Sequence, residues 1–293
     1  MLGNLDGDDD LDAFAGNSMG QPNRVWLNLN NTPPEITLDD PWAGTIVETG
    51  ELYTITWTDF DPDHNADVSL FWDTDTDATN NAAGDEGTTW GEISTGSIKE
   101  DDADFYDWYV DAPERGDYYI LATIQDPFDT WKDYTTDPIH VPGTWYVDAN
   151  PGAGSWPGAF QHLQDALAAA APGDEIWVAQ GTYYPDQGTQ QVDNDRTSSF
   201  QLPGGVGVYG GFEGGETDLN QRNWLENDTI LSGDLLQDDS TTNGGRTDNA
   251  FHVVKSGYSA RLDGFRIEAG YADGTGSEAH GGGIFATQDL TFA

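Results

Sequence analysis

The sequence predicts a mostly-β, multidomain chain, and its composition and patterning lead to that prediction. Its 293 residues include 36 Gly and 14 Pro, which favours many turns. Aromatic residues are plentiful, with 11 Trp, 12 Tyr and 12 Phe, so hydrophobic cores can form. Only one stretch, residues 160–184, contains a helical pattern, and a Pro-Gly stop and a β-type sequence complete that stretch. We therefore expect short strands along most of the chain.

The helical pattern marks the start of a distinct architecture. Its apolar residues fall three and four positions apart, at Phe160, Leu163, Leu167 and Ala170. Pro172 and Gly173 end the helix, and Ile176 and Val178 begin a buried strand. A helix that leads into many Gly-punctuated strands indicates a stack of β-coils. The helix covers the first open edge of that stack and blocks edge-to-edge pairing.

The charge excludes one class of function and leaves two interpretations open. The net charge is −43, from 53 acidic and 10 basic residues, so phosphate repulsion argues against nucleic-acid binding. The acidity is explained by a solvated surface suited to salty surroundings, or by Asp clusters that bind cations. No Cys is present, so disulfides do not hold the fold. No apolar run reaches about 18 residues, the length that a membrane span requires.

Residues 1–30 form the first predicted domain and begin with an acidic loop, GNLDGDDDLD. Oxygen-bearing side chains occupy alternate positions of this loop, at Asn4, Asp6, Asp8, Asp10 and Asp12. Alternate residues of a tight loop can converge on Ca²⁺, which takes about six to eight oxygen ligands. A solvated acidic turn is the alternative interpretation.

This loop and the two short strand patterns after it resemble an FG-GAP or VCBS repeat, one blade of an integrin-like propeller. The resemblance implies that the five alternate residues bind Ca²⁺, with Asp10 acting through its carbonyl. The family often has Gly where Asp9 stands, and this departure affects the expected loop geometry. One blade cannot close a propeller, so the resemblance also implies that the chain is a fragment of a longer protein.

Residues 31–142 form the second predicted domain, after an Asn- and Pro-rich linker at 28–35. Alternating apolar and polar residues predict strands at Glu35–Leu38, Leu52–Trp57, Val68–Trp72, Asp104–Val110, Tyr118–Gln125 and Ile139–Val141. Around seven strands in about 100 residues favour a β-sandwich. The stretches TITWTDFDPDHNADVSLFWDTD and DYYILATIQDP resemble an Ig-like or fibronectin-III-like module of bacterial surface proteins.

Two acidic turns of this domain are candidate cation sites. One set is Asp59, Asp61, Asp63 and Asp67, and the other is Asp73, Asp75 and Asp77. For both sets, an exposed acidic turn is the favoured interpretation.

Residues 143–293 form the third predicted domain. Its predicted strands are Glu175–Ala179, Ser198–Leu202, Gly207–Phe212, Asp228–Ser232, Ala250–Lys255, Arg261–Ile267 and Gly283–Ala286. The stretches GGVGVYGGFEGGE, DTILSGD, NAFHVV, LDGFRI and HGGGIF resemble coils of right-handed parallel β-helix proteins. They are most similar to the pectate-lyase-like superfamily and to polymorphic outer-membrane-protein repeats.

The β-helix resemblance raises the possibility of an enzyme. Lyases of this kind use Asp-bound Ca²⁺ together with a Lys or Arg base. Candidates for these roles are Asp234, Asp238, Asp239 and Asp248, with Lys255, Arg261 or Arg266. Loop acids on a scaffold are the favoured interpretation.

Together the resemblances imply a non-catalytic modular protein for adhesion or carbohydrate-associated surface binding, with calcium-stabilised loops. The alternative is a polysaccharide lyase or glycoside hydrolase of β-helix type with accessory modules. We expect an extracellular or bacterial cell-surface location, with signal and anchor outside this sequence. A polysaccharide or cell-surface glycan is the expected partner.

Overall fold

The structure is a computed structural model, and it confirms a mostly-β chain, with 37% strand and 7% helix. It describes residues 2–3, 12–15, 24–26, 32–39, 41–62, 65–79, 81, 89–94, 96–112, 114–152, 154–239, 245–286 and 290–292. The chain divides into two compact units, residues 1–141 and 142–293. The predicted division into three domains stays a prediction.

The first unit begins with a small antiparallel sheet. Its strands are β1 (Leu2–Gly3), β2 (Asp12–Ala15) and β3 (Arg24–Trp26). Strand β2 lies between the other two and pairs with both of them.

Nine further strands of the first unit form two antiparallel sheets. They are β4 (Glu35–Leu38), β5 (Leu52–Phe60), β6 (Asp67–Asp73), β7 (Trp90–Glu92), β8 (Ile98–Lys99), β9 (Phe105–Tyr109), β10 (Gly116–Gln125), β11 (Thr130–Tyr134) and β12 (Ile139–Val141). One sheet has the order β4–β5–β9. The other has the order β11–β10–β6–β7, with β12 beside β10 and β8 beside β6.

These two sheets share one hydrophobic core. Alternate residues of β5, β6 and β10 are buried, among them Ile55, Trp57, Leu70, Ile120 and Ile124. All five belong to the same buried cluster. The period-two pattern in the sequence therefore identifies the inward face of each strand.

The second unit contains one α-helix and eleven strands among its described residues. In chain order they are β13 (Thr144–Val147), α1 (Leu163–Ala169), β14 (Glu175–Ala179), β15 (Gly181–Tyr183), β16 (Phe200–Leu202), β17 (Gly207–Phe212), β18 (Thr229–Ser232), β19 (Val254–Ser256), β20 (Ala260–Asp263), β21 (Arg266–Glu268), β22 (Ile284–Phe285) and β23 (Leu290–Phe292).

The chain of the second unit visits three parallel sheets in turn. The first sheet has the order β13–β14–β17–β20–β23, the second β15–β18–β21 and the third β16–β19–β22. From β14 onward each successive strand enters the next sheet, so three strands complete one circuit. Each new strand pairs in parallel with the strand one circuit earlier.

Parallel register places like side chains above one another inside these circuits. Ile176, Val208 and Leu262 are aligned across β14, β17 and β20, and all three are buried. They belong to one cluster that also contains Phe200 of the third sheet and Leu231 of the second. Each fully buried aliphatic side chain contributes about 1.5–3 kcal/mol, so the repeated row stabilises the stack.

The helix α1 is shorter than predicted because its first expected residue takes a different role. Phe160 forms a parallel bridge with Val147 instead of entering the helix. Its backbone N–H donates to the Tyr146 carbonyl, and its carbonyl accepts from Asp148 N, both at 2.8 Å. Leu163 and Leu167 are buried as predicted, and the helix packs against β13, β14 and β16.

Asp174 fastens the turn after this helix. Its buried carboxylate accepts three hydrogen bonds of 2.9 Å, from the backbone N–H groups of Gly143 and Ala171 and from the indole of Trp145. Charge-assisted bonds of this kind are stronger than neutral ones. The first strand of the unit is therefore tied to the Pro-Gly turn that precedes β14.

Several predicted strands are confirmed residue for residue, and two are wrong. Glu35–Leu38, Ile139–Val141, Glu175–Ala179 and Gly207–Phe212 have the predicted bounds. The strand predicted at Ala250–Lys255 begins only at Val254, because the backbone N–H groups of Ala250 and Phe251 donate to the loop carbonyls of Gly233 and Arg196. The predicted strand Arg261–Ile267 is two strands, β20 and β21. Gly264 lies between them with φ +81°, a left-handed conformation that turns the chain from the first sheet into the second.

Replacing Gly210 of β17 by Ala should destabilise the second unit. The added Cβ would lie 2.6 Å from the Gly264 carbonyl oxygen and 3.0 Å from Thr229 Cβ. Overpacking of this kind costs about 2 kcal/mol. Gly152→Ala is the matched control, because its added Cβ has no heavy atom nearer than 4.0 Å. Calorimetry of the full chain measures both, and equal melting temperatures would contradict the close approach.

Candidate functional site

A polar groove opens in the second unit at the carboxyl ends of three neighbouring strands. Asp148 follows β13, Gln180 follows β14 and Glu213 follows β17. Parallel strands end at the same edge of a sheet, so the loops after them gather polar groups there. The groove has a volume of ≈ 960 Å³ and is lined by Asp148, Asn150, Gly152, Gly154, Ser155, Gln180, Glu213, Gly214, Gly215, Glu216, Thr217, Gln221, Asn223, Glu226 and Asn227.

Glu216 holds one wall of the groove in place. Its carboxylate accepts backbone hydrogen bonds from Glu213 at 2.6 Å and from Gly214 and Gly215, both at 2.9 Å. Burial alone would raise the pKa of Glu216, but these backbone N–H groups outweigh it and lower the pKa. Glu216 therefore stays ionised near neutral pH and is unsuited to the role of a general acid.

The loop of residues 222–227 forms another wall and is attached to Gly211. Asn223 N and Asn227 Nδ2 both donate to the Gly211 carbonyl, at 2.6 and 3.2 Å. A Cβ on Gly211 would lie 2.9 Å from the backbone of Trp224, and φ of Gly211 is +92°. Only glycine permits this approach without strain, so the wall has a fixed position.

Some groove side chains remain available for a ligand. The side chains of Asn150, Gln180 and Glu226 are exposed and form no hydrogen bond with another described residue. Asp148 is buried, and its Oδ1 accepts from Asn150 N at 2.9 Å. Among the described residues that line the groove, none is Lys, Arg or His. The groove thus presents amides, hydroxyls and carboxylates on a fixed backbone.

An aromatic cluster supports the groove on the face of the first sheet opposite the aliphatic core. Trp177 and Phe212 stack with ring centroids 4.8 Å apart and planes 11° apart. Trp156 meets Phe212 edge-on, and its indole donates to the Glu216 carbonyl at 2.7 Å. Trp156, Trp177, Tyr209 and Phe212 are all buried. This cluster ties the groove wall to the sheet beneath it.

The groove is missed by the sequence analysis, although a signal for it exists. Asp148, Gln180 and Glu213 each come directly after a strand, and Gly follows closely in the last two cases. Strand β13 was not predicted as a strand, so its carboxyl end could not be aligned with those of β14 and β17.

The predicted calcium loop lies almost wholly outside the described residues. Asn4, Asp6, Asp8 and Asp10 fall there, and Asp12 is the first residue of β2. Calcium binding by these five residues stays a prediction.

The acidic turns of the first unit make mostly local hydrogen bonds. Asp73, Asp75 and Asp77 each accept from the backbone N–H two residues on, at 3.1, 2.7 and 3.0 Å. Asp67 pairs with Lys99 at 2.6 Å. The pKa of Asp59 is raised, because burial outweighs the opposing effect of the Trp57 indole, which donates a hydrogen bond to Asp59 at 2.7 Å. Asp63 lies outside the described residues.

Three of the four acids of the predicted lyase site lie within one turn, and the fourth, Asp248, is close enough to Asp238 to interact with it electrostatically. Asp234 accepts from the backbone N–H groups of Asp238 and Asp239, both at 3.1 Å. Desolvation and the charges of Asp248, Asp234 and Asp239 raise the pKa of Asp238. The negative charges of the other three acids therefore disfavour ionisation of Asp238.

Two of the three candidate bases are held in ion pairs. Arg261 pairs with Asp263 at 3.1 Å, and Arg266 pairs with Asp228 at 3.1 Å and Glu268 at 3.4 Å. Lys255 forms no ion pair with a described residue. Arg261 and Arg266 are therefore held by carboxylates other than the four candidate acids.

Two further observations concern metals and membranes. Within the described ranges, no three His, Asp or Glu side chains are grouped so that they could hold a metal ion. Nor does any helix in those ranges have the length and apolar character to cross a membrane.

Comparison with known proteins gives no family. No protein-family model matches the chain, and no curated protein matches it.

Replacing Glu216 by Gln should lower the melting temperature at pH 7, by the equivalent of about 1 kcal/mol, because one carboxylate that accepts three N–H groups is lost. Since the folded pKa lies below the ordinary value of 4.5, this contribution is complete above pH 4.5 and fades as the pH falls further. The difference from the wild type should therefore shrink in acid.

Glu226→Gln, in the same groove, is the control for this titration, and it should change stability little at any pH. Melting curves between pH 3 and pH 7 measure both variants. A wild-type-to-variant difference for Glu216→Gln that stays constant with pH would contradict the assignment.

Proposed function

We propose that this chain is a non-catalytic modular protein that binds a glycan in the polar groove of its second unit. The observation that carries the proposal is the set of exposed amide and carboxylate side chains on a fixed backbone. Such groups donate to and accept from sugar hydroxyls in several directions. A site with a few well-placed polar groups on a rigid frame is what a small polar ligand requires.

The architecture that we propose follows from the sheet order. Residues 143–293 are part of a right-handed parallel β-helix, in which each circuit through the three sheets is one coil. Parallel crossovers are right-handed in nearly all proteins, which supports that hand. Residues 31–142 are an Ig-like β-sandwich, since two antiparallel sheets share one core. Residues 1–30 are one blade of FG-GAP or VCBS type.

A location outside the cell or on its surface suits these modules. The acidic surface, with a net charge of −43, suits a salt-rich medium in which screening reduces self-repulsion. Calcium bound by Asn4, Asp6, Asp8, Asp10 and Asp12 would stabilise the first module.

Binding is favoured over catalysis by the state of the ionisable groups. A glycoside hydrolase needs a carboxylic acid that is protonated near neutral pH, and a lyase needs an unpaired base beside the sugar. Glu216 is held ionised by backbone N–H groups, and Arg261 and Arg266 are ion-paired. Lys255 forms no ion pair with a described residue, but it is not among the residues that line the groove. The enzyme alternative would be favoured if sugar polymers were cut.

A glycan array tests the proposed function. The wild type should bind at least one oligosaccharide, and Gln180→Ala should weaken that binding about fivefold, the equivalent of one hydrogen bond of about 1 kcal/mol. Gln201→Ala is the control, because Gln201 is exposed on β16 and does not line the groove. Release of shorter sugars from the bound polymer would overturn the non-catalytic assignment.

Calcium should raise the melting temperature of the full chain. At a hundredfold excess over its dissociation constant, a ligand that binds only the folded state adds about 2.7 kcal/mol. The double variant Asp6→Asn and Asp8→Asn should lose this response, whereas the control Asp101→Asn and Asp102→Asn should keep it. Calorimetry with calcium or a chelator measures the shift, and equal shifts in both variants would contradict the loop assignment.

A further inference from the structure

The loop at 222–227, three residues of which line the groove, exposes a tryptophan. Trp224 is 58% exposed and Leu225 is 84% exposed, although both lie in a loop fastened to Gly211. Arg222 adds a second fastening, since it pairs with Asp263 at 2.9 Å and its guanidinium lies over the ring of Tyr209. The same guanidinium lies over the ring of Trp224, 5.8 Å from its centroid, so the opposite face of the indole is the one proposed to bind a ligand. The loop therefore holds two large apolar side chains in solvent at a fixed backbone position.

An exposed indole next to hydrogen-bonding groups suits one ligand chemistry in particular. A hexose has hydroxyls around its rim and apolar C–H groups on its faces. An indole can stack on such a face, while neighbouring amides bond the hydroxyls. Asn223, Glu226 and Asn227 line the groove from the same loop that carries Trp224.

The charges of the groove restrict which hexoses fit. Its lining includes four acidic residues, Asp148, Glu213, Glu216 and Glu226, and its described lining residues include no cation. Arg222, next to the groove in sequence, is already paired with Asp263. Like charges 4 Å apart repel by about 1 kcal/mol in water and about 4 kcal/mol at an effective dielectric constant of 20. Each uronate carboxylate therefore weakens binding, whereas a neutral hexose meets no such penalty.

We propose that the groove binds a chain of hexoses without carboxylates, with Trp224 as a stacking residue, and that its four acidic side chains exclude uronate polymers. This inference rests on the proposed glycan binding and names the ligand class of the same groove. It also separates the groove from sites built to bind pectin or alginate, where cations must offset the uronate charge.

Titration calorimetry with defined hexamers tests this inference. The probes are cellohexaose, mannohexaose and N-acetylchitohexaose as neutral chains, and hexagalacturonate as the anionic chain, each with calcium and with chelator. At least one neutral probe should bind, and hexagalacturonate should bind at least tenfold more weakly at low salt. The difference in affinity between hexagalacturonate and the neutral probes should become smaller in 1 M salt, where the screening length falls to about 3 Å.

Two sets of variants separate charge from stacking. Glu213→Gln with Glu226→Gln should raise the affinity for hexagalacturonate relative to the best neutral probe about tenfold. The control Asp193→Asn with Glu278→Gln removes the same charge elsewhere in the unit and should leave that ratio unchanged. Trp224→Ala should weaken the neutral probe about tenfold, whereas Trp131→Ala, at a site 52% exposed in the other unit, should not.

The outcomes distinguish a failure of the proposed ligand class from a failure of the proposed glycan binding. If hexagalacturonate binds as tightly as the neutral probes at low salt, with or without calcium, charge exclusion is wrong while glycan binding stands. If the Trp224 variant binds as the wild type does, the stacking role is wrong. If the chain binds no hexamer and no array glycan, the proposed function fails and this inference fails with it.

Discussion

Parallel backbone pairing in register is the constraint on which the second unit depends. It aligns Ile176, Val208 and Leu262 in one buried row and forces every circuit to return to the same point of the first sheet. A one-residue slip would turn the whole row to the opposite face. The same register brings the ends of β13, β14 and β17 to one edge, and this produces the polar groove. Core and groove are two results of a single pairing rule.

The excess of acid determines how polar groups are satisfied in this protein. With 53 acidic and 10 basic residues, most carboxylates cannot find a cation. Backbone N–H groups take the place of cations as partners of Asp174, Glu216 and Asp73, each of which fixes a turn. Hydrogen bonds of this kind are short-range and directional, and salt screens them less than it screens exposed ion pairs. The fold therefore relies on carboxylate-to-backbone bonds more than on salt bridges.

The sequence predicts strand positions better than it predicts the site. Strand β14 and the buried Leu163 and Leu167 follow from periodicity alone, because burial on one face leaves a regular pattern. The groove does not, since its residues come from loops that only sheet pairing brings together. The division between β20 and β21 at Gly264 does not follow from the sequence either, because a run of β-type residues gives no indication of the positive φ of Gly264. Local sequence patterns therefore predict which residues are buried, whereas the site depends on strand register between residues far apart in the sequence.

Rigidity and charge are the two properties of the groove that support the proposed glycan binding over catalysis. Glu216 and Gly211 fix two of its walls through backbone hydrogen bonds, so a ligand loses little by ordering them. The same hydrogen bonds lower the pKa of Glu216 and keep it ionised, so it has no proton to donate near neutral pH. Arg222 pairs with Asp263, and the described residues that line the groove include four acids and no cation. The proposed preference for neutral sugars over uronates rests on this excess of negative charge, and the proposed stacking rests on the exposed indole of Trp224.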